Sequence, residues 1–306
     1  MNEQIQEKPS SETIPKSREA LEKLAENINI LGDFCAKRDV SSLSPQALLE
    51  KAGQTQLDVF VLFGGSILAG VDRLAKAITS KIAKTTIIVG GAGHTTDTLR
   101  HQVADLFQDP DLSFEKLKDK SEAEIFQLCL QKRHGLQADF LECRSTNCGN
   151  NITFLLDLIQ EKNIPCTSIL LCQDGTMQHR MEATLRKFAP ALTIYNYAAY
   201  QVKVRPSQDL SDPANLASVL EYESEPEGMW SIERYVELLL GEVSRLCDDK
   251  QGYGPKGAGY IAHVDIPRQV KQAFEMVKRV NLSPVRLAQS RFKDPAASVK
   301  QIHDGL

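Results

Sequence analysis

Residues 57–66, Leu-Asp-Val-Phe-Val-Leu-Phe-Gly-Gly-Ser, decide the fold. A short run of β-branched, aromatic and aliphatic residues that stops on glycine reads as a strand buried on both faces. Behind it Val71, Leu74, Ala75, Ile78 and Ile82 recur at helical spacing. The pattern repeats in TTIIVGG (85–91), SILLC (168–172) and LTIYN (192–196), with a weaker copy at Ala138–Cys143. Ser121 and Glu124 have the spacing of a capping box ahead of Ile125, Leu128 and Cys129. Asn150–Gln160 and Met177–Phe188 supply two further helices. Apolar strands that alternate with helices predict an α/β protein with a doubly wound, mostly parallel sheet.

Outward from that centre the chain divides into four parts. Residues 1–16 are polar, carry Pro9 and Pro15, and have the composition of a disordered tail. Residues 17–55 form an N-terminal helical segment in which Leu21, Leu24, Ile28, Leu31 and Cys35 share one face. That helix is expected to start on Ser17, to end near Asp39 and to dock on its own domain; a short helix through Leu49 follows. Residues 56–200 hold the sheet. Residues 201–306 read as a smaller helical part: a polar, loop-like stretch to Glu227, a helix over Trp230–Cys247, a glycine-rich loop at Gln251–Gly259, and helices near Pro267–Val280 and Pro284–Phe292.

Composition narrows the function classes. The chain has 306 residues, 42% of them hydrophobic, and a net charge of −4 from 36 Lys+Arg and 40 Asp+Glu. That excludes wholesale disorder and speaks against a dedicated nucleic-acid binder. The longest charge-free apolar stretch, between Asp58 and Asp72, is 13 residues long, against about 20 for a membrane span. The first residues lack the apolar core of a secretory signal. Seven cysteines without a CxxC pair fit a reducing compartment, so a cytoplasmic location is expected.

Open α/β sheets bind ligands beyond the carboxyl ends of their strands, where the strand order reverses. After the first strand come Gly64, Gly65 and Ser66; after the second come Gly90, Gly91, Gly93 and His94. Such turns bring backbone N–H groups to a ligand or simply close a β–α connection, and neither matches a P-loop or a GxGxxG fingerprint. Behind the weaker strand Ser145, Thr146, Asn147, Asn150 and Asn151 offer a helix cap and a neutral hydrogen-bonding wall. Behind SILLC stand Asp174, Thr176, His179 and Arg180. Arg180 has the fork geometry to grip a carboxylate or phosphate, and Asp174 can take a ribose hydroxyl or act as a base. Glu122, Asp174 and His179 are the catalytic candidates, and no metal-ligand set is visible. The glycine-rich loop suits either a lid over the mouth or an ordinary surface turn.

Several of these residues resemble the YdcF-like proteins, a bacterial family of unassigned function that includes SanA and ElyC. The resemblance rests on Gly90-Gly91-x-Gly93-His94, Ser121-Glu122-Ala123, Ser145-Thr146-Asn147-Cys148-Gly149-x-Asn151 and Gln173-Asp174-x-Thr176-Met177-Gln178-x-Arg180. It continues in Ile232-Glu233-Arg234-Tyr235, Gly241-Glu242, Arg245-Leu246, Asp248-Asp249, Gly252-Tyr253-Gly254-Pro255 and His263-Val264-Asp265. It implies a Rossmann-like domain with a smaller helical part and binding of S-adenosylmethionine. Carried over by position, the ligand mouth is Gly64, Gly65, Gly91, Gly93, Glu122, Asn147, Asn151, Asp174 and Arg180. Gly175 stands where close relatives tend to have Pro, and His179 where they tend to have Arg. Loss of that fixed charge favours a zwitterionic ligand over a multi-phosphate one. The envelope relatives begin with a membrane segment, which these first residues do not resemble, so their envelope role is not carried over.

Three functions follow as expectations. The first is a protein that binds S-adenosylmethionine as a small-molecule ligand, with methyl transfer left open. The second is a hydrolase or transferase acting on a phosphorylated or envelope-precursor metabolite, with Glu122 or Asp174 as acid or base. The third is a non-catalytic interaction protein using the basic stretch from Arg268 to Lys293.

Overall fold

The computed structural model describes residues 14–93, 96–210 and 215–280. Helix α1 (Arg18–Cys35) starts where Ser17 accepts the Ala20 N–H, and it buries Leu21, Leu24, Ile28, Leu31 and Cys35. It stops short of Asp39 because the sheet edge claims the next residues. Arg38 bridges antiparallel to Tyr197, and the Asp39 carboxylate accepts from the backbone and side chain of Asn196. Helix α2 (Pro45–Ala52) starts on Ser44 and ends on Gly53, whose φ of 68° is open to glycine at little cost.

The alternation follows: β1 (Leu57–Phe63), α3 (Ala69–Thr79), β2 (Ala83–Val89), α4 (Thr96–Phe107), a short turn, α5 (Phe114–Leu117), α6 (Glu122–His134) and β3 (Phe140–Glu142). Helix α7 (Cys148–Glu161), β4 (Ser168–Cys172), α8 (Gln178–Phe188) and β5 (Thr193–Asn196) complete it. The capping box of Ser121 and Glu124 is formed at α6. All five strands are parallel, in the order β3-β2-β1-β4-β5. Alternate residues face opposite layers. Phe60, Leu62, Ile88 and Leu170 pack with α1, α3 and α6, while Val59, Val61, Phe63 and Ile169 pack with α7 and α8. This is the doubly wound, Rossmann-like arrangement.

Beyond β5 the stretch expected to be loop contains a two-stranded antiparallel ribbon, β6 (Val204–Pro206) and β7 (Leu220–Tyr222), with α9 (Leu216–Val219) between them. Three-residue strands carrying Arg205, Pro206 and Glu221 leave no readable alternation. The Asn29 amide on α1 holds the ribbon by pairing with both backbone groups of Val204. Helices α10 (Ile232–Leu246) and α11 (Arg268–Arg279) pack into the same core as α1. The glycine-rich loop is a tight turn cluster: Tyr253 N–H reaches Arg245 O, and Ala262 N–H reaches Ala183 O along α8. His263 sits between Asp248 at 2.7 Å and Asp265 at 3.0 Å. These bonds hold the loop against α8 and α10. Residues 1–13, His94 and the expected helix at 284–292 lie outside the described residues. No helix among the described residues is long and apolar enough to cross a membrane.

Asp58 closes the amino end of the sheet. Its carboxylate accepts from Lys84 Nζ at 2.8 Å, from Thr167 N and Oγ1 at 2.9 and 2.8 Å, and from Ser168 N and Oγ. Burial opposes its ionisation, but these donors outweigh burial and hold the group well below the usual carboxylate range. Asp58→Ala strands the Thr167 and Ser168 N–H groups, at a cost of about 3 kcal/mol. Chemical denaturation should read that loss near neutral pH; a change under about 0.5 kcal/mol would contradict the assignment.

Candidate functional site

The sheet order puts the reversal between β1 and β4. Connections from β1 toward β2 and β3 run over one face, and those to β4 and β5 over the other, so the carboxyl ends of β1 and β4 part into a crevice. Gly64, Gly65 and Ser66 leave β1 there, and Gln173 and Asp174 leave β4. A Cβ on Gly65 would stand 3.6 Å from Gln173 Oε1, so the two turns face one another. Gln173 is 1% exposed. Its Oε1 accepts the Asp174 N–H at 2.6 Å, and its buried Nε2 has no partner among the described residues. Burying an amide donor unpaired costs about 1–3 kcal/mol.

On the other flank Glu122, the first residue of α6, wedges between the β1 and β2 turns. Its N–H bonds Gly91 O at 2.9 Å, and Ala123 N–H bonds Gly90 O at 2.8 Å. A Cβ on Gly64 would lie 2.6 Å from Glu122 Oε2, so only glycine admits the carboxyl group. Thr96 Oγ1 accepts the Gly93 N–H at 2.7 Å and donates to Glu122 Oε1 at 2.8 Å. Ser145 Oγ accepts the Gly91 N–H at 3.0 Å. Gly64, Gly91, Gly93, Glu122 and Ser145 are therefore one connected set. Burial pushes the Glu122 carboxyl above its ordinary value, and the Thr96 hydroxyl and Arg100 pull it only part of the way back.

Asp174 is a hub. Its Oδ1 accepts from Thr176 N and Oγ1 at 2.8 and 2.7 Å and from Tyr200 Oη at 2.7 Å; its Oδ2 accepts from Trp230 Nε1 at 3.1 Å. Trp230, which the sequence marks only as the start of a helix, thus ties the β4 turn to the C-terminal part, and Tyr200, which the sequence did not single out, braces the same carboxylate. Gly175 is fitted closely, since a Cβ there would lie 2.7 Å from Tyr200 O.

Arg180 has the expected fork but a different partner. Its Nε and Nη2 bond the two oxygens of buried Glu242 on α10, the second at 2.9 Å, and Arg245 adds a contact at 3.0 Å. The carboxylate that Arg180 grips is therefore the chain's own. His179 Nδ1 lies 2.8 Å from Phe34 O, and burial lowers its pKa, so its ring is a neutral strut against α1. Asn147 caps α7 through the Asn150 N–H; Thr146 and Asn147 both donate to Asn150 Oδ1. Asn151 lies partly buried in the first turn of α7. Ser66 borders a cavity of about 300 Å³ whose walls include Leu68, Leu106, Gln102 and Glu227. No family model matches the chain.

Because the folded pKa of Glu122 lies above its ordinary 4.5, the stability this group contributes is complete below pH 4.5 and is lost as pH rises through the folded value. Glu122→Gln should remove that slope while keeping the acceptor for Thr96. Urea melts from pH 4.5 to 8 should show the variant gaining on the parent as pH rises; parallel curves would contradict the raised pKa.

Proposed function

We propose that the chain is a cytoplasmic small-molecule-binding protein of the YdcF-like kind, holding S-adenosylmethionine at the carboxyl ends of β1 and β4. The observation that carries this reading is the buried amide of Gln173 beside the Gly65 turn, whose Nε2 has no partner among the described residues. The chemistry of the donor set supports it. Gln173, Thr176 and Ser145 are neutral, Glu122 and Asp174 are acidic, and Arg180 is committed to Glu242. Such a mouth suits a cationic or zwitterionic nucleoside better than a polyphosphate. In this reading the glycine turns admit the ligand closely, Gln173 donates to one of its acceptors, and Glu122 holds or gives up a proton beside it. When bound, S-adenosylmethionine supplies an electrophilic methyl group. All seven cysteines are unpaired, which agrees with a reducing compartment.

Thermal shift and calorimetry with S-adenosylmethionine, S-adenosylhomocysteine, ATP and NAD test the reading. Ligand at 100 times its Kd should stabilise the protein by about 2.7 kcal/mol, with the two adenosyl-amino-acid compounds active. Gln173→Leu should weaken their binding about tenfold, the value of one lost hydrogen bond. A parent protein silent to both compounds, or unchanged affinity in Gln173→Leu, would overturn it.

A further inference from the structure

Two arginines beside the crevice have no counter-ion among the described residues. Arg38, just past α1, donates from Nε and Nη2 to Ala198 O at 2.9 and 2.7 Å, and its guanidinium lies 4.2 Å from the centroid of the Tyr197 ring. Arg73, on α3, donates from Nε to Ala199 O at 2.9 Å. Two consecutive carbonyls, on the segment leaving β5, thus each hold one guanidinium, and the two charges are near enough to repel. Ala199 N–H in turn bonds Gln173 O at 2.9 Å, so this pair flanks the mouth.

The nearby acids are engaged elsewhere. Asp39 serves Asn196, Asp72 serves His134 and Arg133, and Glu182 takes Lys37. Among the described residues no carboxylate forms an ion pair with Arg38 or Arg73. Their remaining N–H groups (Nη1 of Arg38, both Nη of Arg73) have no partner among the described residues, and none is sealed from solvent. Burial, and then repulsion from Arg73, weaken the hold of Arg38 on its proton against the pull of Tyr197. Half-burying two like charges without an acid is costly unless an anion joins them. The carbonyls fix each Nε and leave the remaining guanidinium N–H groups to meet an oxyanion.

We infer that Arg38 and Arg73 form an oxyanion subsite at the carboxyl end of β5, which takes the phosphate or carboxylate group of a small molecule. The inference stands apart from the nucleoside reading, since none of its residues holds the proposed nucleoside.

Calorimetry of the full chain with inorganic phosphate, and with ribose 5-phosphate against ribose, tests it. The phosphate compounds should bind, ribose should not, and affinity should fall as salt is raised. Arg73→Gln should weaken phosphate binding at least tenfold, with Arg73→Lys intermediate and circular dichroism unchanged. Arg38→Gln should do the same if it folds, and the Arg73 pair suffices if it does not. Arg73→Gln should leave any thermal shift with S-adenosylmethionine in place, so the two readings fail separately. Absence of phosphate binding by the parent, equal affinity in Arg73→Gln, or binding to phosphatidic acid vesicles with none to ribose 5-phosphate would overturn the subsite.

Discussion

A central parallel strand whose neighbours send their connections to opposite faces cannot have its carboxyl end covered by either connection. That constraint acts at β1, which pairs with β2 on one side and β4 on the other. The remaining features of the mouth follow from it. Gly64 must lack a side chain because α6 enters there with Glu122, and Gly65 faces Gln173 across the gap. The crevice is a product of winding, and the residue types within it are what give it chemistry.

The two ends of the sheet are treated differently. At the amino end Asp58 meets a full set of donors across β1, β2 and β4 and seals the core. At the carboxyl end Asp174 and Glu242 are also satisfied, by Tyr200, Trp230, Arg180 and Arg245, and they lock the C-terminal part against the turns. Between these clamps the polar accounting is incomplete among the described residues: Gln173 Nε2 lacks an acceptor, Glu122 resists ionisation, and Arg38 and Arg73 lack an acid. Arg100 Nε and Gln102 Oε1 on α4 and Glu142 Oε2 at the end of β3 are also buried without a partner among the described residues.

The sheet was readable wherever burial ran the length of a strand. LDVFVLF and SILLC match β1 and β4 residue for residue, because a strand covered on both faces is apolar throughout. Edge strand β3 is only three residues long and was correspondingly faint. The ribbon of β6 and β7 was unreadable because its pairing is short and its charges face outward. At the site, the glycine turns and Glu122 were legible from strand-end position. Gln173 was passed over as an ordinary polar residue, since only burial reveals that its amide is unpaired. The partner of Arg180 was hidden for a related reason. A guanidinium signals that a carboxylate is near, but not that the carboxylate lies 62 residues away on α10. The Arg38 and Arg73 pair is 35 residues apart in sequence and converges only through Ala198 and Ala199.

The most direct test of the crevice is amide hydrogen exchange, followed peptide by peptide with and without saturating S-adenosylmethionine. The account predicts slowed exchange in the segments spanning Gly64–Ser66 and Gln173–Thr176, with the turn cluster at 248–262 and the β6–β7 ribbon unchanged. Protection absent from both strand-end segments, or confined to the C-terminal part, would contradict it.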